Sequence, residues 1–454
     1  MNLKPTMFRE YDIRGIVGED ITEDIMSCIG RAYAKYMQDN LHTNTVVIGR
    51  DGRLHSKQMS DAVVRGVTEC GIDIIDIGEV PSPVVYYAAN TMAVDGFLMV
   101  TASHNPSEYN GIKLGIGKAA LHGDAIQQVY EIAAAGDFPI AEKKGAATQH
   151  DIVPAYMEDV VGRIHLTRPL KVVLDGGNGV SGPIAVPVFE KLGCDVVPLY
   201  CDVDGTFPNH HPDPTKPANL KDLIAKVRET GADLGIGFDG DGDRLGGCDE
   251  TGKHLPGDRL LALYARQVLE EVPGARIIGE VKCSRGMYED IEKHGGHAEM
   301  YRTGHSLIKA RMKETGAEIA GEMSGHIFFK HRWYGFDDGV YAGARLVEIV
   351  ANSGTTLSAL LSSIPERPAT PEMEIKSTDA TKFQVVKRAT EYFQQQGLEV
   401  VTIDGARIEY PDGWGLLRAS NTAPKLVVRV EADTEERVDA IKKVIMDKVD
   451  EFNQ

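Results

Sequence analysis

Three short apolar segments of this chain open in the same way. They are "TVVIGRDGR" from Thr45, "KVVLDGGNGV" from Lys171 and "ARIIGEVKCSRG" from Ala275. β-Branched residues dominate their starts, and each runs through a glycine- or charge-rich turn into a helical pattern: Ser56 to Cys70, Pro183 to Leu192, and Met287 to His294. Such strand–turn–helix alternation restricts the chain to α/β units whose sheets are mostly parallel. A later apolar segment in each unit stops in a polar loop: "GFLMVTASHN", "ADLGIGFDGDGDR" and "AEIAGEMSGH". A threefold internal repeat is therefore expected, with a different chemical loop at the same place in each copy. The carboxyl ends of buried strands are where open α/β sheets do their chemistry.

The length of 454 residues leaves room for more than the three repeats. A proline-rich linker, "SIPERPATPEMEIK", ends the third, and hairpin-like alternation with helical flanks follows in "LEVVTIDGARIEYPDGWGLLRASNTAPKLVVRVEA". The expected architecture is α/β: three similar mixed-sheet α/β domains at 1–150, 151–253 and 254–366, plus a C-terminal α+β domain at 367–454, around a central cleft. The net charge of −18 argues against nucleic acid and anionic membranes as partners, though not against small anions held in a local basic pocket. No apolar run has the length of a membrane span, and "MNLKPTMFREYDIRG" lacks the apolar core of an export signal. Six scattered cysteines with no Cys-x-x-Cys pair suit reduced thiols, so a cytoplasmic location is expected, with a monomer as the default state.

"DGDGDR" sets Asp239, Asp241 and Asp243 at alternate positions, with glycines between them that let the backbone curl. Three convergent carboxylates repel one another unless a cation neutralises them, and hard oxygen ligands suit Mg²⁺ or Ca²⁺. An EF-hand would use the same aspartates and Glu250, but it needs glycine where Arg244 stands and helices where the flanks read as strands. "DVDGT", from Asp202, resembles the nucleophile motif of haloacid-dehalogenase-type phosphatases. It precedes a proline-rich loop instead of following an early buried strand.

The first loop continues as "TASHNPSEYNGIKL", where the residues alone leave Ser103 open as nucleophile, phosphate carrier or turn residue. "GEMSGHIFF" offers Glu322, Ser324 and the imidazole of His326; the first two face one side of an extended chain, a plausible grip on vicinal sugar hydroxyls. "RASNTAPKLVVRVEA" sets Arg418, Ser420, Asn421 and Thr422 before a strand that carries Arg429, a combination that makes an anion nest.

"EYDIRG", "TASHNPSEYNGIK", "DGDGDR", "RTGHSLIK", "GEMSGH" and "RASNT", in this order over essentially the whole chain, resemble the α-D-phosphohexomutases, most closely the phosphomannomutase/phosphoglucomutase branch. The resemblance implies that Ser103 carries a transferable phosphoryl group and joins Asp239, Asp241 and Asp243 in holding Mg²⁺. It puts Tyr11, Arg14, His104, Lys113, Arg244, Lys282 and His305 around the reacting groups. Glu322, Ser324 and His326 would hold the sugar, and Arg418, Ser420, Asn421, Thr422 and Arg429 the distal phosphate. The implied reaction moves a phosphoryl group reversibly between the 1 and 6 positions of a mannose or glucose phosphate, with a hexose 1,6-bisphosphate as intermediate and activator. A phosphoglucosamine mutase is the alternative within the family, and the form of "GEMSGH" speaks against it. A phosphoserine-dependent sugar phosphatase is the alternative outside it, and such a hydrolase has no need of the distal arginine loop.

Overall fold

The computed structural model describes residues 3–421 and 423–453, and its first three domains share one strand order. In the first, Asp73–Glu79 and Gly96–Val100 flank Thr45–Arg50 in parallel, and Tyr109–Ile116 returns antiparallel along Gly96–Val100. In the second, Asp195–Leu199 and Leu234–Phe238 flank Lys171–Asp175 in parallel, and Leu245–Asp249 returns along Leu234–Phe238. In the third, His297–Tyr301 and Ile319–Gly321 flank Arg276–Glu280, and Ile327–Phe329 returns along Ile319–Gly321. Each sheet therefore ends in an antiparallel hairpin, and the three hairpin turns carry "TASHN", "DGDGDR" and "GEMSGH". Gly96–Val100 and Leu234–Phe238 are buried at every position, as strands with both faces covered must be.

One continuous apolar core joins these domains. Val47 and Phe97 of the first sheet, Leu174 and Ile236 of the second, and Ile277 and Phe329 of the third all belong to it. The C-terminal domain is an antiparallel sheet, Met373–Lys376, Lys425–Ala432, Gly413–Ala419, Ala406–Tyr410 and Glu399–Val401 in spatial order, packed on helices Lys382–Gln395 and Glu435–Phe452. It has a core of its own and docks on the third domain mainly through polar groups. Arg407 Nη1 donates to the carbonyls of Val281 (2.7 Å) and Cys283 (3.0 Å), beside the fully buried Trp414. A separate core and a largely polar contact make it the separable unit of the four.

Asp204 of "DVDGT" accepts hydrogen bonds from the amide and hydroxyl of Thr206, at 2.9 and 2.7 Å, which is turn chemistry. All six cysteines are free thiols. No described helix is long and apolar enough to cross a membrane.

Candidate active site

The turn of the first domain meets the turn of the second. Ser103 Oγ donates to Asp239 Oδ2 at 2.8 Å and lies 3.1 Å from His104 Nδ1. Ser103 has a φ of 51°, the left-handed region, which costs a non-glycine residue roughly 1–2 kcal/mol. Its surroundings hold it there. The Ser103 amide donates to Thr101 Oγ1 at 2.8 Å. Arg53, its side chain wholly buried and tied to Asp51, donates to the carbonyls of Ser103 (2.8 Å), Asn105 (2.6 Å), Pro106 (2.6 Å) and Tyr109 (3.1 Å). A strained residue fixed by a buried guanidinium is a feature of functional turns. Gly240 permits the approach of the two turns, since a Cβ there would stand 2.5 Å from the Ser103 carbonyl oxygen.

Asp239, Asp241 and Asp243 are all buried, and they offer oxygens that lie within 4.8 Å of one another. Burial, then repulsion from Asp241 and Asp243, pushes the Asp239 carboxyl well above the usual range. Lys113, from the return strand of the first domain, reaches Asp241 Oδ2 at 2.7 Å and Asp243 Oδ2 at 2.6 Å. Burial works against the lysine's charge, but the two carboxylates outweigh burial and hold it well above its ordinary value. Burial also works against ionisation of Asp241 and Asp243, and Lys113 still leaves both below the usual range. One ammonium does not complete the site. Asp241 Oδ1 and Asp243 Oδ1 are buried without a hydrogen-bond partner, a set of hard oxygen donors that fits a divalent cation. Glu250, which an EF-hand would require, instead binds the amide and hydroxyl of Ser358.

Above this floor lies a cavity of about 600 Å³. His104, Arg244, Tyr11, Arg14 and His305 line it, as do Glu322, Ser324 and His326 of the third turn and Lys282, Arg418, Ser420 and Asn421 from the other side. Arg9, Arg14, Arg244, Lys282, Arg418 and Lys425 face only Asp12, Asp20 and Glu322, so an acidic protein has a basic cavity fit for anions. Burial, then Arg244 and Arg14, holds His104 well below the usual histidine range, and burial with Lys309 and Lys113 does the same for His305, so both imidazoles are neutral.

Ser103, Lys113 and the three aspartates sit beneath the cavity wall and do not line it. Arg429 lies apart from the Arg418 loop. It lines a neighbouring cavity that shares His104, Arg244, Lys282 and Ser324, and it donates to the Lys282 carbonyl. Thr422 falls outside the described residues. Glu322 Oε1 accepts from the Gly304 amide at 2.6 Å, and Asn421 Nδ2 donates to Tyr11 Oη at 2.8 Å, a link from the C-terminal domain to the first.

Four positioning residues escape the sequence reading. Arg53 left a signal, a buried-strand end reading "IGRDGR". Asp337 stands 2.9 Å from His326 Nδ1, while Arg244 Nε donates to His326 Nε2 at 3.0 Å, so the imidazole joins the second and third turns. Asp404 receives Arg418 Nε at 2.6 Å, and Lys382 donates to the Ser420 carbonyl at 2.7 Å. Asp337, Asp404 and Lys382 are ordinary turn or helix residues in sequence, and only long-range contacts give them their roles.

Residues 5–139, 154–252 and 256–367 match the family descriptions "Phosphoglucomutase/phosphomannomutase, alpha/beta/alpha domain" I, II and III, and residues 372–448 match its C-terminal domain. A Pseudomonas aeruginosa protein named phosphomannomutase/phosphoglucomutase is 47% identical, covering 98% of this chain and 96% of its own length. A Neisseria meningitidis protein named phosphoglucomutase is 46% identical over 97% of this chain and 96% of its own. The crystal structure of a Burkholderia thailandensis phosphoglucomutase/phosphomannomutase family protein superposes with a TM-score of 0.91 at 44% identity, covering 99% of this chain and 98% of that one.

Proposed function

The chain belongs to the phosphoglucomutase/phosphomannomutase family, and we propose that it interconverts the 1- and 6-phosphates of mannose and glucose by passing a phosphoryl group through Ser103. One arrangement supports this reading above others. Ser103 lies against the acidic turn on one side of a basic cavity, while the Arg418 loop supplies a second anion grip from a different domain. A single phosphate-releasing site has no use for that second grip.

In this reaction the phosphorus–oxygen bond to Ser103 breaks as a bond to the sugar O6 hydroxyl of a 1-phosphate forms, giving the 1,6-bisphosphate. The neutral imidazoles of His104 and His305 line the cavity and can take the hydroxyl proton. After the bisphosphate turns over, its other phosphoryl group returns to Ser103 and the 6-phosphate leaves. Phosphoryl transfer asks a protein chiefly to position the groups and offset charge. Arg244 and Lys113 supply fixed positive charge near the serine, and Arg418, pinned by Asp404, holds the phosphate that is not moving. Asp239, Asp241, Asp243 and the phosphorylated Ser103 would hold Mg²⁺, which when bound supplies further positive charge against the phosphoryl oxygens. Hexose 1,6-bisphosphate also serves as activator, by charging the serine.

The test is a parallel assay with mannose 1-phosphate and glucose 1-phosphate and a trace of bisphosphate. Both 6-phosphates should form with little inorganic phosphate; release of one phosphate per sugar consumed would instead establish a phosphatase. Arg418→Ala should lower kcat/KM about ten- to a hundredfold, the worth of a hydrogen bond to a charged group. It should also raise the amount of bisphosphate found in solution at matched conversion, because a poorly held sugar escapes before turning. An unchanged leak together with unchanged turnover would remove the loop from the site. Glu322→Gln keeps an oxygen for the Gly304 amide but loses the charge offered to sugar hydroxyls. Selection of glucose 1-phosphate over its deoxy analogues should fall about tenfold, and an unaltered ratio would place Glu322 outside the sugar grip.

A further inference from the structure

A second cavity, of about 400 Å³, is walled by the first and third domains and shares no residue with the reaction cavity. Its wall contains Lys118, Lys309, Lys313 and Lys330 and no acidic residue, in a chain with 67 acids against 49 lysines and arginines. Two of the lysines are engaged: Lys309 Nζ donates to Asp337 at 2.7 Å and Lys330 Nζ to Glu318 at 2.8 Å. Lys118 and Lys313 are exposed and have no ion-pair partner among the described residues. The remaining wall is aromatic. Tyr86, Phe97, Tyr334 and Phe336 line it; Lys309 Nζ stands 4.0 Å from the centre of the Tyr86 ring, and the Tyr86 hydroxyl is buried without a hydrogen-bond partner.

Each half of this wall asks for something different. A bare anion would answer the lysines and leave the aromatic surface in water. An uncharged apolar molecule would cover the rings and strip water from the ammonium groups without replacing it, which is unfavourable. A flat ring system that carries phosphate answers both, by stacking on rings and binding to lysine. The volume lies within the range of small-molecule and cofactor sites. We propose that this cavity binds a nucleoside phosphate, as a site separate from the one where the sugar phosphate reacts. Asp337 lies between the two sites: one carboxylate oxygen receives Lys309 of this cavity, and the other stands beside His326 of the reaction cavity.

The experiment is calorimetric titration of the full chain with AMP, adenosine and inorganic phosphate separately, in the absence and presence of saturating glucose 1,6-bisphosphate. AMP should bind once per chain, at least tenfold tighter than adenosine or phosphate, and with the same affinity when the reaction cavity is filled. Lys118→Glu with Lys313→Glu should weaken AMP by about tenfold or more, since each reversal turns an attraction for phosphate into a repulsion. Both residues lie outside the reaction cavity, so the turnover of the double variant should equal that of the parent, which also reports an intact fold. Absence of AMP binding at millimolar concentration would overturn the proposal, as would displacement of AMP by the bisphosphate or unchanged affinity in the double variant. Phosphate binding as tightly as AMP would overturn the nucleoside assignment. None of these outcomes bears on the mutase assay, so the two readings fail separately.

Discussion

Ser103→Gly should lower kcat by about four to six powers of ten, as loss of a nucleophile does, yet melt within about 3 °C of the parent chain. Two local terms oppose each other in the folded state. The variant loses the hydrogen bond to Asp239 at 2.8 Å. It also relieves the left-handed φ of 51°, which glycine adopts without cost. Ser103→Ala should be equally inactive and less stable than Ser103→Gly, because alanine keeps the strain and loses the bond. A merely structural serine predicts the reverse pairing, with activity following stability. Covalent chemistry supplies the second readout. After incubation with glucose 1,6-bisphosphate, the Ser103 peptide of the parent should gain the mass of one phosphoryl group, and neither variant should. A parent peptide that is never labelled, or a glycine variant with substantial turnover, would remove Ser103 as the carrier.

Much of this site could be read from the sequence because its chemistry sits in short continuous turns. "TASHN", "DGDGDR" and "GEMSGH" each follow a fully apolar strand, and a polar loop at a strand end is visible in one dimension. The same reasoning found the hairpins of the C-terminal domain from alternation alone. The register between repeats was not visible. Nothing local to Lys113 says that it lies 2.6 Å from Asp243, 130 residues away in sequence. Arg429 shows the limit from the other direction. Proximity to the "RASNT" loop in sequence suggested a shared clamp, but the strand carries its side chain to the Lys282 carbonyl and the neighbouring cavity. Strand direction and length decide where a side chain emerges, and a composition-based reading of an anion nest does not contain them.

The second large effect concerns Asp241. Its Oδ2 already holds Lys113 at 2.7 Å and Ser82 at 2.6 Å, while its Oδ1 is buried and unpartnered beside the equally unpartnered Oδ1 of Asp243. In Asp241→Asn the amide oxygen must keep the Oδ2 position, since an amide NH₂ there would face an ammonium. The NH₂ then occupies the Oδ1 position and presents a donor where a cation needs an acceptor. Turnover should fall by about two to four powers of ten, as when one group aimed at transition-state charge is removed. Stability should respond in the opposite sense. With chelator present, three buried carboxylates share Lys113 and the more distant Arg244, so neutralising one of them reduces repulsion and the variant should melt no lower than the parent. Adding Mg²⁺ should raise the melting temperature of the parent, because a ligand that binds only the folded state stabilises it, and should leave the variant unmoved. Glu250→Gln is the control. Its carboxylate is committed to Ser358 and takes no part in the acidic turn, so its Mg²⁺ increment should equal that of the parent. An increment that survives in Asp241→Asn, or one that disappears in Glu250→Gln, would mean that the cation is held by a different set of oxygens from the three aspartates of "DGDGDR".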